Sequence, residues 1–151
     1  MIHKFGYEVV TRATAELAWE VFSNWRRWHT FSNIYGSLDW TQGTPWTEGS
    51  RLRIEVVQPL HMFIDHVITF CEPARKVGWI DNAFGVVMEQ WVTFHKTLDG
   101  TTRVTLTGEM VGGESINVGG MSAAKLVEEF TRGWYENFRT VCDELAPAAA
   151  S

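Results

Sequence analysis

The segment Ser122 to Leu145 limits what this chain can fold into more than any other stretch. Its bulky apolar residues fall at Val127, Phe130, Trp134, Phe138, Val141 and Leu145, with successive spacings of 3, 4, 4, 3 and 4. That repeat paints one face of a helix, while Lys125, Glu128, Glu129, Arg132, Glu136 and Arg139 fall on the other side. Six large side chains at about 1.5–3 kcal/mol each supply roughly 10 kcal/mol of gross driving force for burial. A helix of this kind must be covered. The only partner large enough lies upstream, where Gly49 to Val111 reads as strands separated by turns. Function turns on whether the helix docks flush on that sheet or leaves a cavity.

Composition narrows the possibilities. A chain of 151 residues suits one domain with one core, expected over residues 1–145, with 146–151 as a flexible C-terminal tail. Eight tryptophans and nine phenylalanines are many for this length, and large rings line ligand pockets as well as cores. The net charge of -5 argues against a nucleic-acid partner, since phosphate contacts need a lysine and arginine surplus. No apolar run approaches the roughly 18 residues that mark a membrane span. Cys71 and Cys142 form no CxxC pair and read as free thiols. With no apolar signal region after Met1, this predicts a cytoplasmic protein.

Along the chain, Ile2 to Thr11 reads as a strand. Thr14 then caps a short helix, Ala15 to Phe22, and Ser23 or Asn24 caps a second, Trp25 to Trp28. The rings of Trp19, Phe22, Trp25, Trp28 and Phe31 are placed to plug one end of a sheet. A weak strand at Tyr35 to Trp40 precedes five further strand-like segments. Gly49 to Val57 alternates apolar and charged residues, and His61 to Phe70 ends at a proline corner, Cys71-Glu72-Pro73. Lys76 to Asn82 is short. Val86 to Lys96 and Thr102 to Val111 flank Leu98-Asp99-Gly100-Thr101, an Asp-Gly hairpin signal. On that hairpin Met88, Val92 and Phe94 share a face with Val104, Leu106 and Met110, and Gln90 is the polar exception. Gly112 to Gly120 reads as a mobile connection into the last helix.

Four stretches carry a family resemblance. Ala18-Trp19-Glu20-Val21-Phe22-Ser23-Asn24-Trp25-Arg26-Arg27-Trp28 and Thr47-Glu48-Gly49-Ser50-Arg51-Leu52 are two of them. Ile68-Thr69-Phe70-Cys71-Glu72-Pro73-Ala74-Arg75-Lys76-Val77-Gly78-Trp79 and Leu98-Asp99-Gly100-Thr101-Thr102-Arg103-Val104-Thr105-Leu106 complete the set. In this order they resemble the SRPBCC superfamily, in its START-like, polyketide cyclase/dehydrase-like branch. The resemblance implies an α+β helix-grip fold, with a curved antiparallel sheet of about seven strands wrapped around a long C-terminal helix and two short helices after the first strand. Members bind lipids, polyketides, hormones and other apolar molecules between sheet and helix. A minority catalyse cyclisation or dehydration, and others bind chaperones. The motifs are structural, so they specify fold far better than chemistry.

No GxSxG, GxGxxG or GxxxxGK motif is present. His61 and His66 are separated by an odd number of residues on one strand, which sends their rings to opposite faces, so no metal site and no cofactor are expected. Strand parity puts Met62, Ile64, His66 and Ile68 inward, with Gln90 two strands away, Trp79 between them and Asp81 nearer the rim. An unpaired buried polar group costs roughly 1–3 kcal/mol. His66 and Gln90 therefore need each other, backbone, water or a ligand. Asp65 and Glu89 have the opposite parity, which argues against either as a carboxylate partner for His66. The expected ligand-binding residues are His66, Trp79, Gln90, Ile64, Met88, Trp134 and Phe138, and His66 is the one candidate acid or base. Trp91 points to the outer face, where an exposed ring can mark a partner surface. Trp40 and Trp46 form either a lid over the pocket or a satellite cluster.

Three functions compete on these residues. The first is binding of a small hydrophobic or aromatic ligand, lipid- or polyketide-like, as partner. The second is a cyclase or dehydratase using His66, and the third an interaction module acting through the sheet. A homodimer is the one self-association kept open.

Overall fold

The computed structural model describes residues 2–83, 86–112, 117–118 and 120–147. The expected connection from Gly112 to Gly120 and the expected tail lie largely outside these residues. Strand β1 (Ile2–Thr11) leads into α1 (Ala15–Ser23) and a 3₁₀ helix (Trp25–Thr30). Then follow β2 (Tyr35–Gln42), β3 (Arg51–Val56), β4 (Met62–Glu72), β5 (Lys76–Ala83), β6 (Val86–Lys96) and β7 (Thr102–Val111). A short hairpin of β8 (Asn117–Val118) and β9 (Met121–Ser122) precedes α2 (Ala123–Leu145). The seven long strands form one curved antiparallel sheet in the order β1-β7-β6-β5-β4-β3-β2. No helix among the described residues is long and apolar enough to cross a membrane.

Local chemistry sets these boundaries. Thr14 caps α1 by accepting from the Leu17 N–H at 3.1 Å, and Ser122 caps α2 from the Lys125 N–H at 3.2 Å. The Asp-Gly turn forms as expected, with Gly100 at φ 86° and Asp99 Oδ1 accepting from the Thr101 N–H at 3.1 Å. Across β6 and β7, Met88 faces Met110, Val92 faces Leu106 and Phe94 faces Val104, so the concave side of the hairpin is apolar. Gln90 faces Gly108, whose missing side chain makes room for the Phe5 ring; a Cβ there would lie 2.4 Å from that ring.

The C-terminal helix buries a line shifted round its axis from the one expected. Ala124, Thr131, Trp134, Tyr135, Phe138 and Cys142 are buried, whereas Val127, Phe130 and Val141 are partly covered. Leu145 is 47% exposed, although Cys142 in the same turn is fully buried, so Leu145 lies off the buried line. On the flank of α2, three polar contacts fasten it to β1. His3 bonds Glu128 at 2.6 Å, the Tyr7 hydroxyl donates to Glu136 at 2.8 Å, and the Thr11 hydroxyl donates to Asp143 at 2.6 Å. Four strand residues advance about 13 Å and seven or eight helix residues about 11–12 Å, so the two elements run side by side with matched steps. Carboxylates that read as a solvated face in the sequence thus set how the helix lies on the sheet edge.

Candidate ligand cavity

Register gathers the polar candidates on the concave face. His66 lies opposite Leu52 and Ile64 opposite Ile54 on one side, while Trp79 lies between Ile68 and Gln90. One step beyond the Val67–Ile80 pair, His66 comes opposite Asp81. Its Nε2 stands 3.2 Å from Asp81 Oδ2, with the side chains 16% and 2% exposed. That oxygen has no hydrogen-bond partner among the described residues, so the two groups meet as a close polar contact. The His66 ring also lies parallel to Trp79, with centroids 5.4 Å apart and planes 17° apart. Asp81, expected nearer the rim, is 3% exposed and part of the interior. It is the carboxylate partner of His66 that parity denied to Asp65 and Glu89.

A bulge makes this arrangement. Between β4 and β5 the register shifts between Ile68 and Phe70. Ile68 and Cys71 therefore both align with inward residues, Trp79 and Val77, across an odd step. Without that extra residue the even-numbered face of β4 could not meet Trp79 and Asp81 on one side of the sheet.

Between this face and α2 lies a cavity of about 710 Å³, within the usual range for small-molecule sites. Ile54, Val56, Met62, Ile64 and Met88 line the sheet side, and Phe130, Trp134 and Tyr135 the helix side. Phe22, Trp28 and Phe31 close one end. Of the expected ligand-binding residues, Ile64, His66, Trp79, Met88, Gln90 and Trp134 reach the wall. Phe138 is the correction. It is 0% exposed, stacked 5.8 Å behind Trp134 and packed on Phe22 and Phe31, so it supports the wall without forming it.

Tyr35 and Tyr135 also line the cavity and went unread in the sequence. Burial pushes both phenols above their ordinary value, which keeps them neutral. The indole N–H of Trp79 is buried without a hydrogen-bond partner among the described residues.

Other candidates fall outside the cavity. His61 binds Glu55 at 2.8 Å and is largely exposed, on the other side of the strand from His66. Trp40 and Trp46 pack edge to face at 5.2 Å, and Trp46 also meets Trp19, Phe22 and Trp28, so the pair is an aromatic cluster rather than a lid. Trp91 lies on the outer face over Gly78, donates to Glu89 at 2.9 Å and carries the Lys76 ammonium 4.7 Å above its ring.

No protein-family model matches the sequence, and no curated protein matches it either. Solved structures do. Ara h 8.0201 superposes with a TM-score of 0.76 at 10% identity, over 94% of this chain and 98% of the other. The Zhui aromatase/cyclase from Streptomyces sp. R1128 gives 0.75 at 18% identity, over 100% and 99%. A START superfamily protein from Mycobacterium smegmatis gives 0.73 at 10% identity, over 95% and 99%. The seven-stranded curved sheet, the long C-terminal helix and near-complete coverage in both directions lead to one conclusion: this chain has the helix-grip fold of these structures.

Proposed function

We propose that this protein binds a small hydrophobic or aromatic ligand, lipid- or polyketide-like, in the cavity between the sheet and α2. The observation that carries the reading is the cavity itself, about 710 Å³ with an apolar wall and a few convergent polar side chains. Sealing it with side chains would have been the default for a core, because an empty volume forfeits dispersion contacts. The free thiols Cys71 and Cys142 suit a reducing, cytoplasmic setting. Titration with the neutral probe N-phenyl-1-naphthylamine tests the proposal. Saturable one-to-one binding that quenches tryptophan emission is expected; a linear, unsaturable response would refute it.

A second reading has its own observation. His66 and Asp81 stand 3.2 Å apart inside the cavity, which brings an imidazole and a carboxylate together at one point of its wall. An enzyme of cyclase or dehydratase type would use His66 to move a proton at a bound substrate, with Asp81 as a positioning residue. The full-length similarity to an aromatase/cyclase fits the same idea. Under this reading, His66→Gln lowers turnover by roughly 10²–10⁴ while binding survives; under simple binding, affinity stays within about tenfold and no turnover is found. A module acting through the sheet around Trp91 would instead have been favoured by a filled interior.

A further inference from the structure

The cavity wall carries negative charge and no fixed cation to balance it. Among the described residues, His66, Asp81 and Glu129 are the charge-bearing side chains that line it, and no lysine or arginine does. Two carboxylates outweigh one imidazole in either of its protonation states, so the sign of the wall does not depend on His66. Glu129 is exposed, and solvent screens it. Asp81 is 3% exposed, and its Oδ2 is buried without a hydrogen-bond partner among the described residues. His66 Nε2 stands 3.2 Å from that oxygen and makes no hydrogen bond with it, so the lone pairs of Oδ2 are unused. A buried acceptor left in this state is costly, and a carboxylate more so than a neutral group.

The rings of the cavity add to the demand for positive charge. Trp28, Tyr35, Trp79, Phe130, Trp134 and Tyr135 line it, and an aromatic face attracts a cation. The protein's own cations sit over rings elsewhere. Arg26 lies over Trp25, Arg53 over Phe63 and Lys76 over Trp91, at 4.6, 4.5 and 4.7 Å from the centroids. None of those three rings lines the cavity. Gln90, 9% exposed and directly across from Trp79, offers an amide oxygen as a further acceptor on the same face.

We propose that the cavity takes a protonated primary or secondary amine carried on an apolar body. The ammonium donates to Asp81 Oδ2, and the apolar part lies against the aromatic and aliphatic wall. A quaternary ammonium has no N–H and would leave Oδ2 unpaired, while an alcohol would bring the donor without the charge. This rests on the ligand-binding reading above and adds the charge of the ligand and the residue that selects it.

The test uses three probes with one apolar chain, n-octylammonium, 1-octanol and octanoate, titrated into the intact protein at neutral pH by calorimetry. Octylammonium should bind at least about tenfold more tightly than octanol, the gain of a charge-assisted hydrogen bond, and octanoate more weakly than octanol. The net charge of -5 also draws cations to the outer surface, and salt separates the two effects. In about 1 M sodium chloride the preference for amine over alcohol should persist, since a buried pair is screened far less than exposed charges. In Asp81→Asn, checked for native circular dichroism and a cooperative melt, the preference should fall at least about fivefold. Equal binding of amine and alcohol, tightest binding of octanoate, loss of the preference in salt, or an unchanged preference in Asp81→Asn would overturn the proposal. The three probes and their salt dependence in the parent protein decide the matter even where the variant does not fold. Failure of all three probes, octanol included, would instead sink the ligand-binding reading itself and this proposal with it.

Discussion

Replacing Phe138 with alanine removes the ring that supports the cavity wall, and the structure fixes how much that should cost. Phe138 is 0% exposed, with the rings of Trp134, Phe31, Phe22 and Tyr135 at centroid distances of 5.8, 6.0, 6.1 and 6.1 Å. Loss of an aromatic side chain's buried area is worth about 2–3 kcal/mol in transfer free energy. Rings locked around the site cannot collapse freely, so a residual void adds to this, and the total should reach about 3–5 kcal/mol. For a chain of this length that corresponds to a fall in Tm of about 8–16 °C. Urea unfolding of parent and variant, with unchanged slope, measures it directly. Leu145→Ala serves as the internal control, because Leu145 is 47% exposed and should cost under about 1 kcal/mol. A loss below about 1 kcal/mol for Phe138→Ala, or equal losses at both positions, would refute the assignment of the helix's buried line.

Further expectations follow from individual contacts. A Cβ at Gly78 would lie 2.5 Å from the Trp91 ring, so Gly78→Ala should displace that ring and destabilise by about 1–3 kcal/mol, visible as a change in tryptophan emission. Thr14→Ala should cost about 1 kcal/mol through the lost cap on α1, read from chemical unfolding. The hydroxyls of Thr97 and Thr101 hold the Asp99 carboxyl down at about 2. Its stabilisation is fully present above the unfolded value of about 4 and is lost as pH falls through the folded one; Asp99→Asn should therefore flatten the acid limb of a stability–pH curve. Burial pushes the Cys142 thiol up to about 12 and Cys71 up to about 11, so native protein at pH near 8 should label slowly with a thiol reagent and rapidly once unfolded.

Much of this arrangement was legible from periodicity and turn chemistry, because those signals are local. The Thr14 cap, the Asp-Gly turn and the inward parity of Ile64, His66, Met88 and Gln90 each depend on a few neighbouring residues. What escaped depends on non-local register. The bulge beside Thr69 has no compositional mark, yet it decides that Asp81 faces His66. The shifted burial line on α2 runs through Thr131 and Cys142, small residues that a search for bulky apolar ones passes over. Tyr135 sits on that line and therefore went unread. Glu128, Glu136 and Asp143 look like a solvated face until β1 is laid beside them. Phe138 was read as a ligand contact because the stripe cannot distinguish a wall from its backing.

The central claim is that a ligand enters between the sheet and α2, and the indole N–H signals of the eight tryptophans report on it most directly. In a ¹H–¹⁵N correlation spectrum titrated with N-phenyl-1-naphthylamine, the resonances of Trp79, Trp134 and Trp28, which line the cavity, should move and saturate together. Those of Trp91 on the outer face and of Trp40, which does not line the cavity, should stay in place. Movement confined to Trp91, or no saturable movement of the cavity indoles, would contradict the account.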